Sequence, residues 1–269
     1  MGVENLFNIS GKVAVVTGAA SGLGSSIAEA MAENHARVAL FDVNEDGLTN
    51  TAHRLGKSGT EIVTMKVDVS DRGEMRRAID RVVDRFGCLD IEFGNAGIGG
   101  GAGFLGLDGS ANAGGEIGCV TDELWDKVLA VNLSSVFATI QSSAFHMKKG
   151  TGGRIMITTS VASFRNQTWV GTPYMAAKAG AAHLVRQMAL ELARYNITVN
   201  AIAPGAFAAN IGGGRMKLGE VSQMMSKRIP LGRVAQPVEI KGLALFLASP
   251  ASSFITGAEI PIDGGASIA

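Results

Sequence analysis

The sequence has few cysteines, no excess of charge of either sign and no long apolar run. Its two cysteines, Cys88 and Cys119, lack the CxxC spacing of a zinc site and suggest no disulfide framework. Lys and Arg number 24, as do Asp and Glu, so the formal net charge is zero. Binding of a polyanion needs clustered basic charge, and crossing a bilayer needs roughly 18 consecutive apolar residues. The composition therefore argues against a nucleic-acid partner and against a membrane partner.

Histidine is also scarce. The four histidines, His35, His53, His146 and His183, have no metal-ligand spacing, so we expect no metal site. The first residues include Glu4 and no continuous apolar stretch, unlike a secretory signal. We therefore expect a soluble, cytoplasmic protein.

Short runs of β-branched residues alternate with longer helical patterns along the whole chain. The runs VAVV and IMIT lack polar alternation, which is typical of strands buried on both faces. Such alternation with right-handed crossovers produces a doubly wound parallel sheet with helices on both faces. No linker or repeat divides the chain, so residues 1–269 are predicted to form a single α/β domain. The predicted strands are 13–17, 37–41, 61–67, 89–93, 154–159, 197–202 and 259–262, and the predicted helices include 22–33, 71–86, 122–147, 173–195 and 237–247.

Glycine is abundant, with 36 residues, and two glycine-rich segments interrupt the alternation. Residues 98–119 are long and contain no evident helix or strand. Residues 206–230 begin with a flexible glycine run and continue into a helical patch that contains methionine. Long loops in compact domains are usually functional or disordered. Both segments directly follow strands, so they are expected at the carboxyl edge of the sheet, where ligands bind.

The first predicted strand leads into the turn 18–24 (GAASGLG) and then into a helix. Glycines permit a tight turn and a close approach of the backbone to a diphosphate, whose charge the helix N-terminus favours. The spacing departs from G-x-G-x-x-G, so an ordinary strand–helix turn is the alternative. Asp42 ends the second strand, where it can accept hydrogen bonds from ribose hydroxyls and would repel a 2′-phosphate. A turn or capping role is the alternative for Asp42.

Polar residues also end the third and fourth strands. Asp68 precedes Val69 at the third strand, and the sequence Asn95-Ala96-Gly97 follows the fourth. Asp68 could equally cap the next helix, and residues 95–97 could form an ordinary turn. The residues alone leave both alternatives open.

Tyr174 and Lys178 are four residues apart on a predicted helix, so they share one face. An ammonium group beside a phenol favours the phenolate and lowers a pKa that is otherwise about 10. Tyr174 could then act as a general acid or base near neutral pH. Ser160 ends the preceding strand, where its hydroxyl can orient a carbonyl or an alcohol. Acyl transfer is disfavoured because no G-x-S-x-G elbow surrounds this serine.

In this order and spacing, these residues resemble the short-chain dehydrogenase/reductase family. The similarity extends from Gly11 to Gly265 and implies a Rossmann-type fold that binds a nicotinamide cofactor. The resemblance assigns cofactor contacts to Gly18, Ser21, Gly22, Leu23 and Gly24 at the diphosphate, Asp42 at the adenosine ribose, Asp68 and Val69 at adenine, and Asn95, Ala96 and Gly97 across the sheet edge.

The resemblance also implies catalytic residues and a segment that closes over the nicotinamide. The catalytic tetrad would be Asn132, Ser160, Tyr174 and Lys178, and the closing segment would contain Pro204, Gly205 and Phe207. Tyr174 would exchange the substrate hydroxyl proton while Ser160 holds the reacting oxygen. Lys178 would bind the nicotinamide ribose and lower the pKa of Tyr174. Asn132 would support a water relay to Lys178, although residue chemistry alone suggests a buried helix asparagine satisfied by backbone.

The chain departs from the family pattern at two strand ends. Gly94 replaces the first residue of the usual Asn-Asn-Ala-Gly, which removes one side-chain hydrogen bond and should cost stability rather than activity. Ala209, with Asn210 beside it, replaces the threonine expected after Pro-Gly. The usual hydroxyl contact to the nicotinamide carboxamide would then be missing.

The segment 98–119 is longer than the usual family loop. Its nine glycines make ordering costly, so we expect it to be mobile without a partner. We also expect it to form one wall of the substrate pocket, opposite a lid at 206–230, with Phe104 or Leu105 as apolar contacts. A solvated surface loop or a subunit-contact arm is the alternative.

These patterns predict an enzyme that transfers hydride reversibly between NAD and a secondary alcohol or ketone. NADP-preferring relatives carry Arg or Lys where this chain has Ser21 and Val43, so NAD is expected over NADP. The rival is a nucleotide-binding sensor or scaffold that kept the fold and lost catalysis. A dehalogenase-like relative without nicotinamide is disfavoured by the complete glycine turn and Asp42. Small residues on the helix 173–195 predict self-association, and the resemblance implies a homotetramer.

Overall fold

The centre of the structure is a parallel sheet. The computed structural model describes residues 2–209, 211, 214 and 219–269. Within these residues, seven strands are ordered β3-β2-β1-β4-β5-β6-β7, and all neighbouring pairs are parallel. The strand order reverses between β1 and β4, which is where open α/β sheets bind ligands. The strands are β1 (Val13–Thr17), β2 (Arg37–Asp42), β3 (Ile62–Lys66), β4 (Ile91–Gly94), β5 (Gly153–Thr158), β6 (Ile197–Pro204) and β7 (Glu259–Ile262).

Helices cover both faces of this sheet. They are α1 (Val3–Leu6), α2 (Gly22–Glu33), α3 (Glu45–Leu55), α4 (Arg72–Phe86), α5 (Asp122–Leu129), α6 (Ser135–Met147), α7 (Thr172–Leu192), α8 (Gly219–Ser226) and α9 (Lys241–Ala248). A π-helical turn, Ala130–Ser134, joins α5 and α6 into one continuous helix. A 3₁₀ turn, Ala193–Tyr195, extends α7.

Two apolar layers result from the alternation of side chains along the strands. Val13 and Val15 of β1 pack in the layer that contains α4, α6 and α7, whereas Ala14 and Val16 pack in the layer that contains α2, α3 and α9. All of β1 is buried because helices cover both of its faces. The predicted single-domain, doubly wound α/β fold is confirmed.

Side-chain caps start several helices beside the carboxyl edge of the sheet. Asp71 accepts hydrogen bonds from the backbone N–H groups of Gly73 and Glu74 at the start of α4, and Asn44 accepts one from Gly47 at the start of α3. Each cap satisfies donors that the first helical turn would leave unpaired. The helix α3 is not among the predicted helices.

The continuous helix Asp122–Met147 is long and apolar enough to cross a membrane by length and composition. However, 56% of its most apolar window is buried inside the structure. Its α6 half contacts α4, α7 and β5. It is therefore a core helix of this fold.

Candidate active site

The turn after β1 is built for close backbone approach. Gly18 and Gly22 have positive φ angles of 68° and 57°, which side-chain-bearing residues rarely adopt. A Cβ at Gly24 would overlap the Gly18 carbonyl oxygen. Ser21 is the N-cap of α2 and makes no side-chain cap, so N–H groups at this helix end can receive an anion. Leu23 packs into the layer below the turn.

Asp42 connects the end of β2 to the glycine turn. Its Oδ2 accepts a hydrogen bond from the Ala20 N–H at 3.0 Å, and its Oδ1 accepts one from the Asn44 N–H at 3.0 Å. A carboxylate has about four lone-pair sites, so acceptor capacity is left for ribose hydroxyls. The turn and Asp42 together fit the diphosphate and ribose of a dinucleotide.

Asp68 does not cap the following helix, because Asp71 does. The Asp68 carboxylate instead accepts hydrogen bonds from the Ser70 N–H at 2.9 Å and from the Ser70 hydroxyl at 2.7 Å. Its side chain is exposed beside the buried Val69. The capping alternative for Asp68 is therefore wrong.

Asn95 ties three neighbouring strands together. Its Nδ2 donates to the Thr17 carbonyl at 3.1 Å, and its Oδ1 accepts from the Thr158 hydroxyl at 3.1 Å. The Thr17 hydroxyl accepts from the N–H groups of Asn95 and Ala96, at 2.9 and 3.0 Å. Asn95 and Ala96 are thus anchored to the ends of β1 and β5. The sequence analysis missed Thr17 and Thr158, although both are polar residues at strand ends.

Gly94 lies where a side chain has little room. A Cβ there would come within 2.7 Å of Ile157 Cδ1 and 3.4 Å of Thr139 Cγ2. An asparagine would require the end of the Ile157 side chain to move, so the glycine fits the packing of this chain.

Ser160, Tyr174 and Lys178 meet at the carboxyl end of β5. Ser160 is 8% exposed, and its hydroxyl accepts from the Ala162 N–H at 3.1 Å. Lys178 is 2% exposed, and its Nζ donates to the Thr158 carbonyl at 2.7 Å. The same Nζ lies 5.6 Å from the centroid of the Tyr174 ring. Their positions one turn apart on α7 bring the phenol and the ammonium to one face.

The pKa values of this group differ from the sequence expectation. Burial lowers the pKa of Lys178 to about 8, because removal from water disfavours the ammonium form. Burial also raises the pKa of Tyr174, and the interaction with the Ser160 hydroxyl opposes this only in part. The expected lowering of the Tyr174 pKa by Lys178 is therefore not found in the protein alone.

Asn132 lies inside the π-helical turn and is fully buried. Its Oδ1 accepts from the Ile98 N–H at 3.1 Å and its Nδ2 donates to the Ile98 carbonyl at 2.9 Å. A Cβ at Gly97 would lie 2.8 Å from Asn132 Oδ1 and 3.6 Å from Lys178 Nζ. Asn132 and Lys178 therefore both border Gly97, and π-helical turns are frequent at functional sites.

The segment after β6 runs beside the same edge. Gly205 donates its N–H to the Ile262 carbonyl, and a Cβ on it would come within 2.6 Å of Asp263 Cβ. Phe207 and Ala209 are 4% and 5% exposed. Pro204 is the last residue of β6, and Asn210 lies outside the described residues.

The segment 98–119 is fixed against the stretch that leads into α7. The Leu105 N–H donates to the Thr168 carbonyl at 3.0 Å, and Ala102 forms an isolated bridge with Val170. The segment also contains two 3₁₀ turns. The expectation of a segment without secondary structure is wrong, and these contacts argue against the expected mobility.

Glycines make this contact possible. A Cβ at Gly100 would lie 2.5 Å from Tyr174 Cβ, and a Cβ at Gly103 or Gly115 would overlap the carbonyl oxygen of Thr168 or Gly103. The backbone of residues 98–119, here called the insertion, therefore lies directly on the segment that carries Tyr174.

A small apolar group, here called the lid cluster, joins the insertion to the rest of this edge. Leu107 and Trp169 pack against Met225, Ile229 and Val234, as do Ala206, Ala208 and Ala266. Phe104 is 49% exposed and Leu105 is half-buried. Leu107, which was not singled out as a contact residue, is the insertion residue in the cluster.

Comparison with known proteins identifies the family. A family model described as enoyl-(acyl carrier protein) reductase matches residues 18–267. The NAD-dependent glycerol dehydrogenase of Listeria innocua is 34% identical, and the match covers 99% of this chain and 98% of that protein. The chain belongs to the short-chain dehydrogenase/reductase family.

Solved structures agree with this assignment. A 7α-hydroxysteroid dehydrogenase complexed with NADH and 7-oxo glycochenodeoxycholic acid has a TM-score of 0.87 and 32% identity, covering 98% of each chain. A gluconate 5-dehydrogenase from Burkholderia cenocepacia in complex with NADP and tartrate has a TM-score of 0.87 and 32% identity, covering 100% of each chain. The protein is thus a soluble oxidoreductase of alcohol groups that uses a nicotinamide cofactor, and its relatives include NAD and NADP users.

Proposed function

We propose that this protein is an NAD-dependent dehydrogenase of a secondary alcohol, with Tyr174 as the general acid or base. The observation that carries the proposal is that Tyr174 contacts both Ser160 and Lys178, while Lys178 and Asn132 border Gly97 together. Burying an ammonium group is costly. A buried lysine one helical turn from Tyr174 therefore indicates that its charge acts on the phenol.

The residues divide the work of the reaction. Bound nicotinamide supplies the hydride acceptor or donor. The Ser160 hydroxyl holds the substrate oxygen, and Tyr174 Oη takes its proton during oxidation and returns one during reduction. Lys178, held by the Thr158 carbonyl, supplies positive charge that favours the tyrosinate form when it is protonated. Asn132 holds the backbone at Ile98 and so fixes the wall of the site next to Lys178.

The assignment of NAD rather than NADP rests on Asp42. Its carboxylate is anchored on the glycine turn through Ala20, so it cannot move away from a 2′-phosphate without breaking that hydrogen bond. Ser21 and Val43 add no positive charge beside it. Electrostatic repulsion would therefore select against NADP.

The cellular setting belongs to the same proposal. We infer a cytoplasmic homo-oligomer, with a tetramer suggested by the family. Of the small residues on this helix, Ala177, Ala181 and Ala182 are buried inside the subunit, and only Ala176 and Ala179 are exposed for a contact with a second subunit. Better support comes from exposed apolar side chains on α6 and α7, where Phe145 and Leu190 are 56% and 78% exposed. A monomer mass by light scattering at micromolar concentration would refute it.

Replacing Tyr174 with Phe tests the catalytic assignment. The variant should bind NADH like the wild type but lose turnover by about 10²–10⁴-fold, because only the titrating hydroxyl is removed. Tyr195→Phe is the matched control, since Tyr195 is the other tyrosine and lies at the far end of α7. Turnover is followed by reduced-nicotinamide absorbance across alcohols, polyols and hydroxy acids. Wild-type turnover in Tyr174→Phe would disprove the role of Tyr174.

A further inference from the structure

The segment 206–230 is basic in a chain that is neutral overall. By sequence it carries Arg215, Lys217, Lys227 and Arg228 against one acid, Glu220. Arg215 and Lys217 lie outside the described residues, whereas Arg228 lies within them.

Arg228 lies over Trp169, in the stretch of chain between Ser160 and Tyr174. Its guanidinium carbon is 4.8 Å from the centroid of the Trp169 ring, and one of its N–H groups donates to the Leu107 carbonyl. Trp169 is located between Ser160 and Tyr174 in the sequence and packs in the lid cluster. The same cluster contains Ala206 and Ala208, which follow Gly205. Arg228 therefore contacts two segments, 98–119 and the stretch leading into α7, and the first of these meets Tyr174 at Gly100.

The charge of Arg228 is oriented but not neutralised. Arg228 contacts the Trp169 ring and the Leu107 carbonyl, and these contacts use only one of its five N–H donors. Among the residues that the structure describes, Arg228 forms no ion pair. The acid that follows Leu107, Asp108, is bonded instead to the N–H and the hydroxyl of Ser110. A guanidinium with open N–H donors can bind both oxygens of a carboxylate through two parallel hydrogen bonds.

A second arginine adds positive potential beside the lid cluster. Arg165 donates to the backbone carbonyls of Ala266 and Ala269, and Ala266 packs in the cluster. Arg165 also helps to hold the pKa of Asp263 below its usual value, after the hydrogen bonds from Ser267 and Gly265. Arg165 donates from both of its terminal nitrogens, whereas Arg228 donates from one, so Arg228 has more open donors.

We propose that Arg228 binds a carboxylate at the rim of the active site, and that the substrate is a secondary alcohol or ketone with a carboxylate on the side remote from the reacting carbon. This inference rests on the proposed function, because it identifies the substrate class of the same site. Trp169 would cover the apolar body of such a substrate, with Arg228 above it.

Two pairs of probes that differ only in charge test this proposal. Turnover with NAD is compared for cis-4-hydroxycyclohexanecarboxylate and its carboxamide, and binding to the NADH-loaded protein is compared by calorimetry for cyclohexanecarboxylate and cyclohexanecarboxamide. Because a hydrogen bond to a charged group is stronger than a neutral one, the protein should bind the acid about tenfold or more tightly than the carboxamide. Arg228→Gln should abolish this preference and leave the amide unaffected. Lys227→Gln is the matched control, because Lys227 is the exposed neighbouring cation, and it should keep the preference.

Two results would overturn the proposal. One is a wild-type protein that binds the acid no better than the amide. The other is an Arg228→Gln variant that loses acid and amide equally, which would mean that Arg228 only holds Leu107 to Trp169. Failure of the proposed function is seen separately, as absence of NADH binding or unchanged turnover in Tyr174→Phe. If NADH does not bind, the calorimetric comparison on the protein alone still decides whether the anion site exists.

Discussion

Glu92 is the feature of the core from which the stability of this protein can be predicted most directly. It lies in the middle of β4, between Val15 of β1 and Ile155 of β5 in the strand register, and is fully buried. The Ser143 hydroxyl donates to its Oε2 at 2.9 Å, while Oε1 has no hydrogen-bond partner among the described residues. Burial raises the pKa of Glu92 well above 4.5, and the Ser143 hydrogen bond offsets this only in part. The folded protein therefore keeps the carboxyl protonated at a pH where the unfolded chain ionises.

This difference makes the stability fall as the pH rises. Below pH 4.5 both states hold the proton and Glu92 costs nothing through ionisation. Above it, each pH unit over which the folded state keeps the proton costs about 1.4 kcal/mol. The loss continues up to the pH at which the folded carboxyl ionises, and even one pH unit of it is a noticeable part of a typical folding free energy.

Glu92→Gln removes the titration and keeps an oxygen that can accept from Ser143. The free energy of unfolding, measured by urea titration from pH 5 to pH 8 at one protein concentration, should be similar for variant and wild type at pH 5. The variant should become progressively more stable above that pH. Glu116→Gln, at an exposed position of the insertion, is the control and should follow the wild type. A difference between Glu92→Gln and wild type that does not change with pH would refute the reasoning.

Three further predictions concern the site. Burial lowers the pKa of Lys178 to about 8, so the folded state releases this proton at a lower pH than the unfolded chain and gains stability between about pH 8 and 10.5. Lys178→Met should lack this gain when the free energy of unfolding is measured against pH. The same pH dependence in the variant would show that Lys178 does not cause it. Asp42→Ala should raise the ratio of kcat/KM for NADP to that for NAD, because the repelling carboxylate is lost; an unchanged ratio would remove Asp42 as the selector. Gly115→Ala should destabilise the protein by about 1–3 kcal/mol through overlap with the Gly103 carbonyl. Gly118→Ala is the control, because a Cβ at Gly118 meets open space, and it should change the unfolding midpoint little. Equal effects of the two substitutions would show that the insertion is not packed as described.

The sequence predicts the fold because its strongest signals are local. Strands such as β1 are uniformly apolar, and α4 is preceded by a capping aspartate. The helix α3 is harder to predict, because only Leu48, Thr51 and Leu55 are buried on an otherwise polar helix.

The candidate site is less local. The family resemblance alone identifies Asn132 as a site residue. Its hydrogen bonds to the backbone of Ile98 depend on a π-helical turn, which no spacing rule predicts. The pKa of Tyr174 depends on burial by the rest of the fold, so the neighbouring lysine alone gives the wrong direction.

The insertion demonstrates how glycine can be misinterpreted in a sequence. Glycine loses more conformational freedom on folding than any other residue, so nine glycines in a 22-residue stretch predict mobility if only entropy is counted. The structure adds a packing term, because Gly100, Gly103 and Gly115 occupy places where a Cβ would collide with backbone or with Tyr174. Only glycine allows the two backbones to come so close, and the resulting contacts, with the hydrogen bond from Leu105 to Thr168, hold the segment in place. The same residues that raise the cost of ordering therefore also make the ordered contact possible, and the position of the insertion against Tyr174 follows from their absence of side chains.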